Sequence, residues 1–249
     1  MGGIQILMER LSGKSDLARL IGRRDLDACQ ASVGILLAMT VVTGIVDAVS
    51  FLALGRVFTA NMTGNLVLIG FAFARAPGIS ISRSAVALAA FLSGAVLGGR
   101  MASEESSWHR WADRTFILEA LLLGVAAVSA AGTGSSEVSN PPQLYAVIVL
   151  TGVAMGLRNA IVRKLAVPDM TTTVLTLTIT GLAADSSLAG GENPRWQRRV
   201  AAILAMICGA FAGARMLAYS ISLPLAVACG IAAICAAARG RLFSEGRAS

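Results

Sequence analysis

Long apolar runs separated by short polar stretches make up most of the chain. A helix needs about 20 apolar residues to cross the hydrocarbon core of a bilayer, which is about 30 Å thick. Six runs approach or reach that length, at about 33–54, 85–103, 116–133, 143–162, 200–218 and 221–238. The pattern predicts an all-α integral membrane protein, a helical bundle with about six full transmembrane helices.

Two further apolar runs, at 62–74 and 171–184, are too short to span, because each rises only about 20 Å as a helix. Polar residues open both of them: TANMTGN stands at 59–65 and TTT at 171–173. Broken backbone at membrane depth is tolerated where it is buried in protein or lines water. We therefore predict two short discontinuous helices that begin inside the membrane.

The composition excludes an ordinary soluble domain. The 249 residues are 55% hydrophobic, the mean hydropathy is +0.72, and 14% of the residues are charged, against about 25% in soluble domains. The net charge of +7 does not indicate a nucleic-acid partner, because the basic residues flank the apolar runs as orientation in a membrane requires. The predicted partner is the lipid bilayer.

The positions of the basic residues favour six spans over eight. Eight spans would put the loop at 132–142, which contains no Lys or Arg, in the cytoplasm and the basic loops around Arg100 and Arg163 outside. Six spans put both termini in the cytoplasm. The predicted organisation is then a basic segment at 1–31, a transmembrane domain at 32–240 and a basic tail at 241–249. A reporter fused at Gly134 is expected to be periplasmic.

The two halves of the transmembrane domain, about 32–134 and 142–240, resemble each other. The motif GAxxGxRM occurs at 94–101 and again at 209–216, and Asp47 and Thr63 correspond to Asn159 and Thr176. Chance matching of Gly and Ala is the alternative, but the shared motif favours internal duplication, which is common in transporters. Three full spans per half is an odd number, so the predicted halves are inverted.

Small residues spaced four apart predict close helix packing. Where no hydrophobic effect drives helices together, such residues let backbones approach each other. The three pairs are Gly94 and Gly98, Gly152 and Gly156, and Gly209 and Gly213. We expect them to build the core of one protomer, and a homodimer formed through them is the open alternative.

A group of polar residues inside the apolar runs is the candidate functional site. Asp47 lies deep in the first run, where an ionised carboxylate costs about 2.5–3.5 kcal/mol and needs a partner or a proton. We interpret the group as a substrate or ion pathway in which Asp47 accepts a proton or ligand. The cavity donors and acceptors are predicted to be Asn61, Thr63, Asn65, Asn159 and Thr176.

A purely structural alternative remains for the same residues. Asp47, Asn61 and Arg158 would then form an internal network that holds two unwound helices together without a ligand. Arg158 would leave that network if it lay near the membrane surface with Arg163 and Lys164.

No catalytic, metal or cofactor site is predicted. The four cysteines form no CxxC pair, His109 is the single histidine, and no catalytic motif is present. We therefore expect neither an enzyme nor a metal-binding or cofactor-binding protein.

Two blocks of sequence resemble a known family. They are TGIVDAVSFLALGRVFTANMTGN at 43–65 and MGLRNAIVRKLAVPDMTTTVLTLTITGLAADS at 155–186. Both are similar to the YoaK-like family of bacterial inner-membrane proteins, and the resemblance covers roughly 32–240. It implies a multi-pass protein of the bacterial inner membrane with no established substrate, and family members often carry Gln where this chain has Arg158.

Together these patterns predict a transporter or channel that moves a small polar solute passively or with proton coupling, with Asp47 as the acceptor of a proton or a ligand. The alternative from a different class is a non-transporting membrane scaffold or assembly partner.

Overall fold

The computed structural model describes residues 23–104, 108–132, 138, 140–165 and 175–244, with side chains described within 33–103, 111–132, 138, 140–164 and 175–240. Among these residues the chain forms helices and no strands, which confirms the all-α prediction. The helices are α1 (Arg23–Ala53), α2 (Met62–Phe73), α3 (Ile81–Glu104), α4 (Trp108–Ser129), α5 (Pro141–Leu165), α6 (Leu175–Ala184), α7 (Trp196–Leu217) and α8 (Ser222–Ser244).

Six of the helices are long and two are short, as the apolar runs predict. Five of the long helices, α1, α3, α5, α7 and α8, contain segments long and apolar enough to cross a membrane. Helix α4 has 22 residues and carries the charged residues Arg110, Asp113, Arg114 and Glu119. Helices α2 and α6 have 12 and 10 residues. They rise about 18 Å and 15 Å, too little to span a bilayer.

One end of the bundle, here called the Ala53 end, collects the end of α1, the beginnings of α3 and α5, and the end of α4. Three hydrogen bonds hold it together: Val138 N–H to Ala53 C=O (3.2 Å), Ser82 Oγ with Tyr145 OH (2.9 Å), and Gln143 Nε2 to Ser129 C=O (2.5 Å). Because α1 ends and α3 begins at the same end, α2 between them does not cross the bundle.

The opposite end, here called the Trp111 end, collects the remaining ends of α3, α4, α5 and α8. Trp111 Nε1 donates to Gly98 C=O (3.1 Å), and Lys164 Nζ lies 5.6 Å from the Trp111 ring centroid. Asp113 pairs with Arg239 at 2.8 Å, which ties the beginning of α4 to α8.

Glycines allow two pairs of parallel helices to pack closely: α3 packs against α5, and α7 packs against α1. A Cβ added at Gly94 would lie 2.2 Å from the Val153 carbonyl oxygen, and one at Gly209 would lie 2.2 Å from the Val41 carbonyl oxygen. Such distances are shorter than any tolerable contact, so only glycine fits these positions. The predicted glycine pairs therefore lie at helix contacts within one protomer.

Candidate functional site

The break between α1 and α2 turns the chain back into the bundle. Gly55 and Arg56 both adopt left-handed conformations, with φ of 80° and 57°, and these reverse the chain direction after α1. The ring of Phe58 then stacks on that of Phe51 in α1, with 5.0 Å between centroids. The returning loop, residues 54–61, thus runs beside the last turns of α1 and reaches the depth of Asp47.

Asp47 is held by the backbone of this returning loop. The N–H of Ala60 donates to Asp47 Oδ1 at 3.1 Å, and the backbone amides of Thr59 and Asn61 interact with the same carboxylate. Its side chain is buried, and among the described residues no Lys or Arg forms an ion pair with it. Asp47 therefore occupies the kind of backbone nest that commonly binds anions.

Asn65 fixes the loop and does not line the site. Its side-chain Nδ2 donates to Phe58 C=O (2.5 Å) and its Oδ1 accepts from Phe58 N–H (2.9 Å). It is fully buried, and neither cavity described below includes it. Asn61, by contrast, is exposed and caps α2 by accepting from Gly64 N–H at 3.3 Å.

A small polar cavity, here called the inner cavity, lies where α2 and α6 begin. Its volume is about 140 Å³. Its walls come from α1, the returning loop, α6 and α7: Thr43, Asp47, Ala60, Asn61, Leu175, Thr176 and Met206. The carboxylate of one half and the first turn of the short helix in the other half therefore share one space.

A larger open cleft of about 780 Å³ runs between α2 and α6 and is here called the α2–α6 cleft. Thr63, Val67 and Leu68 of α2 line one side, and Leu177 of α6 lines the other. Asn61 and Thr176 line both the cleft and the inner cavity. The structure thus brings together four of the predicted pathway residues, Asp47, Asn61, Thr63 and Thr176.

Asn159 lies apart from these four residues. Its Nδ2 donates to the Met155 carbonyl oxygen of its own helix at 2.8 Å, and it lines neither cavity. Asp169 and the threonines at 171–173, which belonged to the predicted polar group of the second half, lie outside the described residues.

Arg158 lies fully buried in the bundle. Its Nη2 forms an ion pair with Glu119 of α4, whose side chain is also fully buried. Its Nη1 donates to Met39 C=O and to Thr43 Oγ1, each at 2.7 Å. Thr43 therefore connects this ion pair to the inner cavity.

Glu119 is the residue that the sequence interpretation missed. The sequence contains an indication of this pair. Glu119 is the single acidic residue in the apolar run at 116–133, and Arg158 is the single arginine in the apolar run at 143–162. Buried charges inside a membrane are almost always paired. Among the described residues no group of His, Cys, Asp and Glu has the arrangement of a metal site.

Comparison with known proteins identifies the family but no activity. Residues 35–238 match the family described as "Protein of unknown function (DUF1275)". The chain belongs to this family. It is 34% identical over 146 residues to the UPF0700 transmembrane protein YoaK of Bacillus subtilis (strain 168), which covers 58% of this chain and 62% of that relative. The match thus spans less than two thirds of the curated relative. No solved structure matches the chain.

These comparisons confirm the YoaK-like resemblance and a multi-pass membrane protein. The relative is described as a transmembrane protein, and five helices of this chain are long and apolar enough to cross a membrane. Neither the family nor the relative carries a description of what is transported, bound or assembled.

Proposed function

We propose that this protein moves a small polar solute across the membrane through the inner cavity and the α2–α6 cleft. One observation carries the proposal: two short helices begin beside a buried carboxylate, and one polar cavity is lined by the N-cap of α2, Asn61, and by the first turn of α6. Transporter sites are commonly built this way, from discontinuous helices that meet near the middle of the membrane. Asp47 is the proposed acceptor of a proton or a ligand.

Mirrored helix contacts support the proposal that the fold is an inverted repeat. Gly98 of α3 faces Leu157 and Ala160 of α5, and Gly213 of α7 faces Ile45 and Ala48 of α1. These are corresponding positions in the two halves that the shared GAxxGxRM motif defines. Helices α3 and α7 run in opposite directions through the bundle. In an inverted repeat, the two short helices α2 and α6 would therefore lie on opposite sides of the membrane. That arrangement suits alternating access.

The charges at the two ends of the bundle support a cytoplasmic N-terminus in a bacterial inner membrane. Cytoplasmic loops carry the excess of Lys and Arg. Among the residues whose side chains are described, those at the Trp111 end are Arg100, Arg114, Arg163, Lys164, Arg195, Arg198, Arg199 and Arg239. Those at the Ala53 end are Arg56, Arg75, Arg83 and Arg215. The Trp111 end, where α1 begins and α8 ends, is therefore the proposed cytoplasmic end.

The protein is proposed to act without catalysis, cofactor or nucleic acid, because its sequence contains no group of residues arranged for such chemistry. A homodimer would need a surface other than the glycine pairs, since those positions are occupied by contacts within one chain.

The proposal is tested by flux into proteoliposomes that contain the full chain, measured across a panel of small cations, neutral solutes and anions. We expect at least one solute to enter faster than in empty liposomes. Asp47→Asn should lower that flux by about ten-fold, because a charge-assisted contact is replaced by a neutral one. The matched control is Asp113→Asn, which removes a carboxylate that the structure pairs with Arg239 outside both pathway cavities.

The scaffold alternative predicts a different result. It is favoured by one observation, that Asn61 and Asn65 hydrogen-bond to their own loop and helix. Flux equal to that of empty liposomes for every solute, with a correctly folded protein, would support the scaffold and contradict transport.

A further inference from the structure

The inner cavity is lined by a carboxylate, that of Asp47, with which no described side chain forms a direct ion pair. Asp47 accepts hydrogen bonds from the returning loop, but no described Lys or Arg forms an ion pair with it. Arg158 attracts the Asp47 carboxylate without direct contact. The hydrogen bonds of its guanidinium go instead to Glu119, Met39 and Thr43. The described membrane interior therefore holds two carboxylates, Asp47 and Glu119, against one arginine.

The same geometry argues against an anion as the solute. Backbone N–H groups at a helix start attract anions, but the amides of residues 59–61 already face the Asp47 carboxylate. An anion entering the inner cavity would meet that negative charge in surroundings of low dielectric, where like charges repel strongly. A cation in the cavity would instead give Asp47 a counter-ion in direct contact.

The size and the other walls of the cavity restrict the ligand further. A volume of about 140 Å³ holds roughly four or five water-sized groups, since each water occupies about 30 Å³. Thr43, Asn61 and Thr176 offer side-chain oxygens as hydrogen-bond acceptors, while Leu175 and Met206 are apolar. A ligand that fits must be small, and it gains most if it donates several hydrogen bonds.

We propose that the inner cavity binds a small cation that donates hydrogen bonds, an ammonium or guanidinium group, with Asp47 as its counter-ion. This inference rests on the proposed function, because it names the class of solute for that pathway. It adds that charge, and not polarity alone, selects the solute.

Three planar molecules of nearly the same shape test the inference: guanidinium, urea and nitrate. They are positive, neutral and negative, and guanidinium keeps its charge at any pH that the protein tolerates. Binding to the purified full chain in detergent is measured by titration calorimetry at constant ionic strength. We expect guanidinium to bind about ten-fold more tightly than urea, because its hydrogen bonds to Asp47 are charge-assisted. Nitrate is expected to bind more weakly than urea.

Variants locate the binding and separate charge from shape. Asp47→Asn should make guanidinium and urea bind about equally, because the remaining amide carries no charge. If that variant does not fold, Thr176→Val still tests the location. It should weaken guanidinium binding roughly three- to ten-fold through the loss of one hydrogen bond. Thr180→Val is the matched control: it lies on the same helix, is exposed, and lines neither cavity.

The outcomes separate this inference from the proposed function. Equal binding of guanidinium and urea by the native chain, tighter binding of nitrate, or no binding of any of the three would overturn the cation site. Asp47-dependent flux of urea or nitrate without a preference for guanidinium would overturn it and leave transport standing. Tight guanidinium binding without flux of any solute would support the site and contradict transport.

Discussion

The Asn65 side chain forms a two-point clamp on the returning loop, because it both donates to and accepts from the backbone of Phe58. Asn65→Ala removes the side-chain partners of the N–H and the C=O of half-buried Phe58, and each unpaired buried group costs about 1–3 kcal/mol. We expect the free energy of unfolding to fall by about 3 kcal/mol, measured by thermal unfolding in detergent. Asn61→Ala removes only an exposed helix cap, so its expected cost is about 1 kcal/mol. Equal losses for the two variants would contradict the clamp.

The ion pair between Arg158 and Glu119 makes a second prediction at the scale of single residues. Glu119→Gln alone leaves a buried guanidinium without its counter-ion, which costs about 3–5 kcal/mol. Adding Arg158→Gln removes that unpaired charge and should restore much of the stability. The two variants are compared by thermal unfolding and by yield of folded protein.

The control for the ion pair is Asp113→Asn, because Asp113 pairs with Arg239 and its side chain is 27% exposed. A partly exposed pair of this kind contributes about 1 kcal/mol or less. A double variant less stable than Glu119→Gln alone would show that the pair does not act through mutual charge compensation.

At the residue scale, the sequence indicates which polar residues lie inside the bundle more reliably than it indicates which residues they contact. Asp47 and Asn61 stand out because polar residues are costly inside an apolar run, and the structure places both at the inner cavity. Glu119 carries the same signal, but its partner lies on another helix and is not adjacent in sequence. Asn65 belongs to the same polar stretch as Asn61, yet it points to Phe58, and no periodicity distinguishes the two roles.

At the element scale, helix length is what makes the two short helices predictable. A run of 12 or 10 residues cannot span, whatever its neighbours are. The path of the loop between α1 and α2 was not predictable, because it depends on two consecutive left-handed residues, Gly55 and Arg56. An arginine in that conformation is uncommon and gives no recognisable pattern.

The contacts of α3 with α5 and of α7 with α1 lead to a prediction about these elements. Gly94→Ala and Gly209→Ala each place a methyl group against a backbone carbonyl oxygen, so the paired helices must move apart. Overpacking of this kind costs about 1–3 kcal/mol. We expect similar losses at the two positions, measured by thermal unfolding, because the two contacts have the same geometry. Gly99→Ala is the control: a Cβ there meets no atom within 4 Å, and alanine favours the helix.

At the scale of the whole molecule, the fold class follows from physical constraints that a sequence displays directly. Every backbone polar group in lipid must be satisfied within the chain, so apolar runs of sufficient length become helices. The pairing of helices depends instead on where glycines allow backbones to approach, as at Gly94 and Gly209. The sequence shows these glycines but does not show which helix each one meets.

The number of crossings determines which loops share a side, and this gives a prediction for the whole chain. Alkaline phosphatase, which is active only in the periplasm, is fused after Gly78, Gly132 or Gly191. Gly78 follows α2, Gly132 follows α4, and Gly191 lies between α6 and α7. With six crossings and a cytoplasmic N-terminus, Gly78 and Gly132 are periplasmic and Gly191 is cytoplasmic.

Eight crossings would make all three fusion sites cytoplasmic, because α2 and α6 would each add one passage through the membrane. Gly191 therefore serves as the internal control, since both arrangements place it inside. We expect active enzyme at Gly78 and Gly132 and inactive enzyme at Gly191. The opposite result at all three positions would keep six crossings but invert the orientation, and the Ala53 end would then be cytoplasmic despite its smaller set of basic residues.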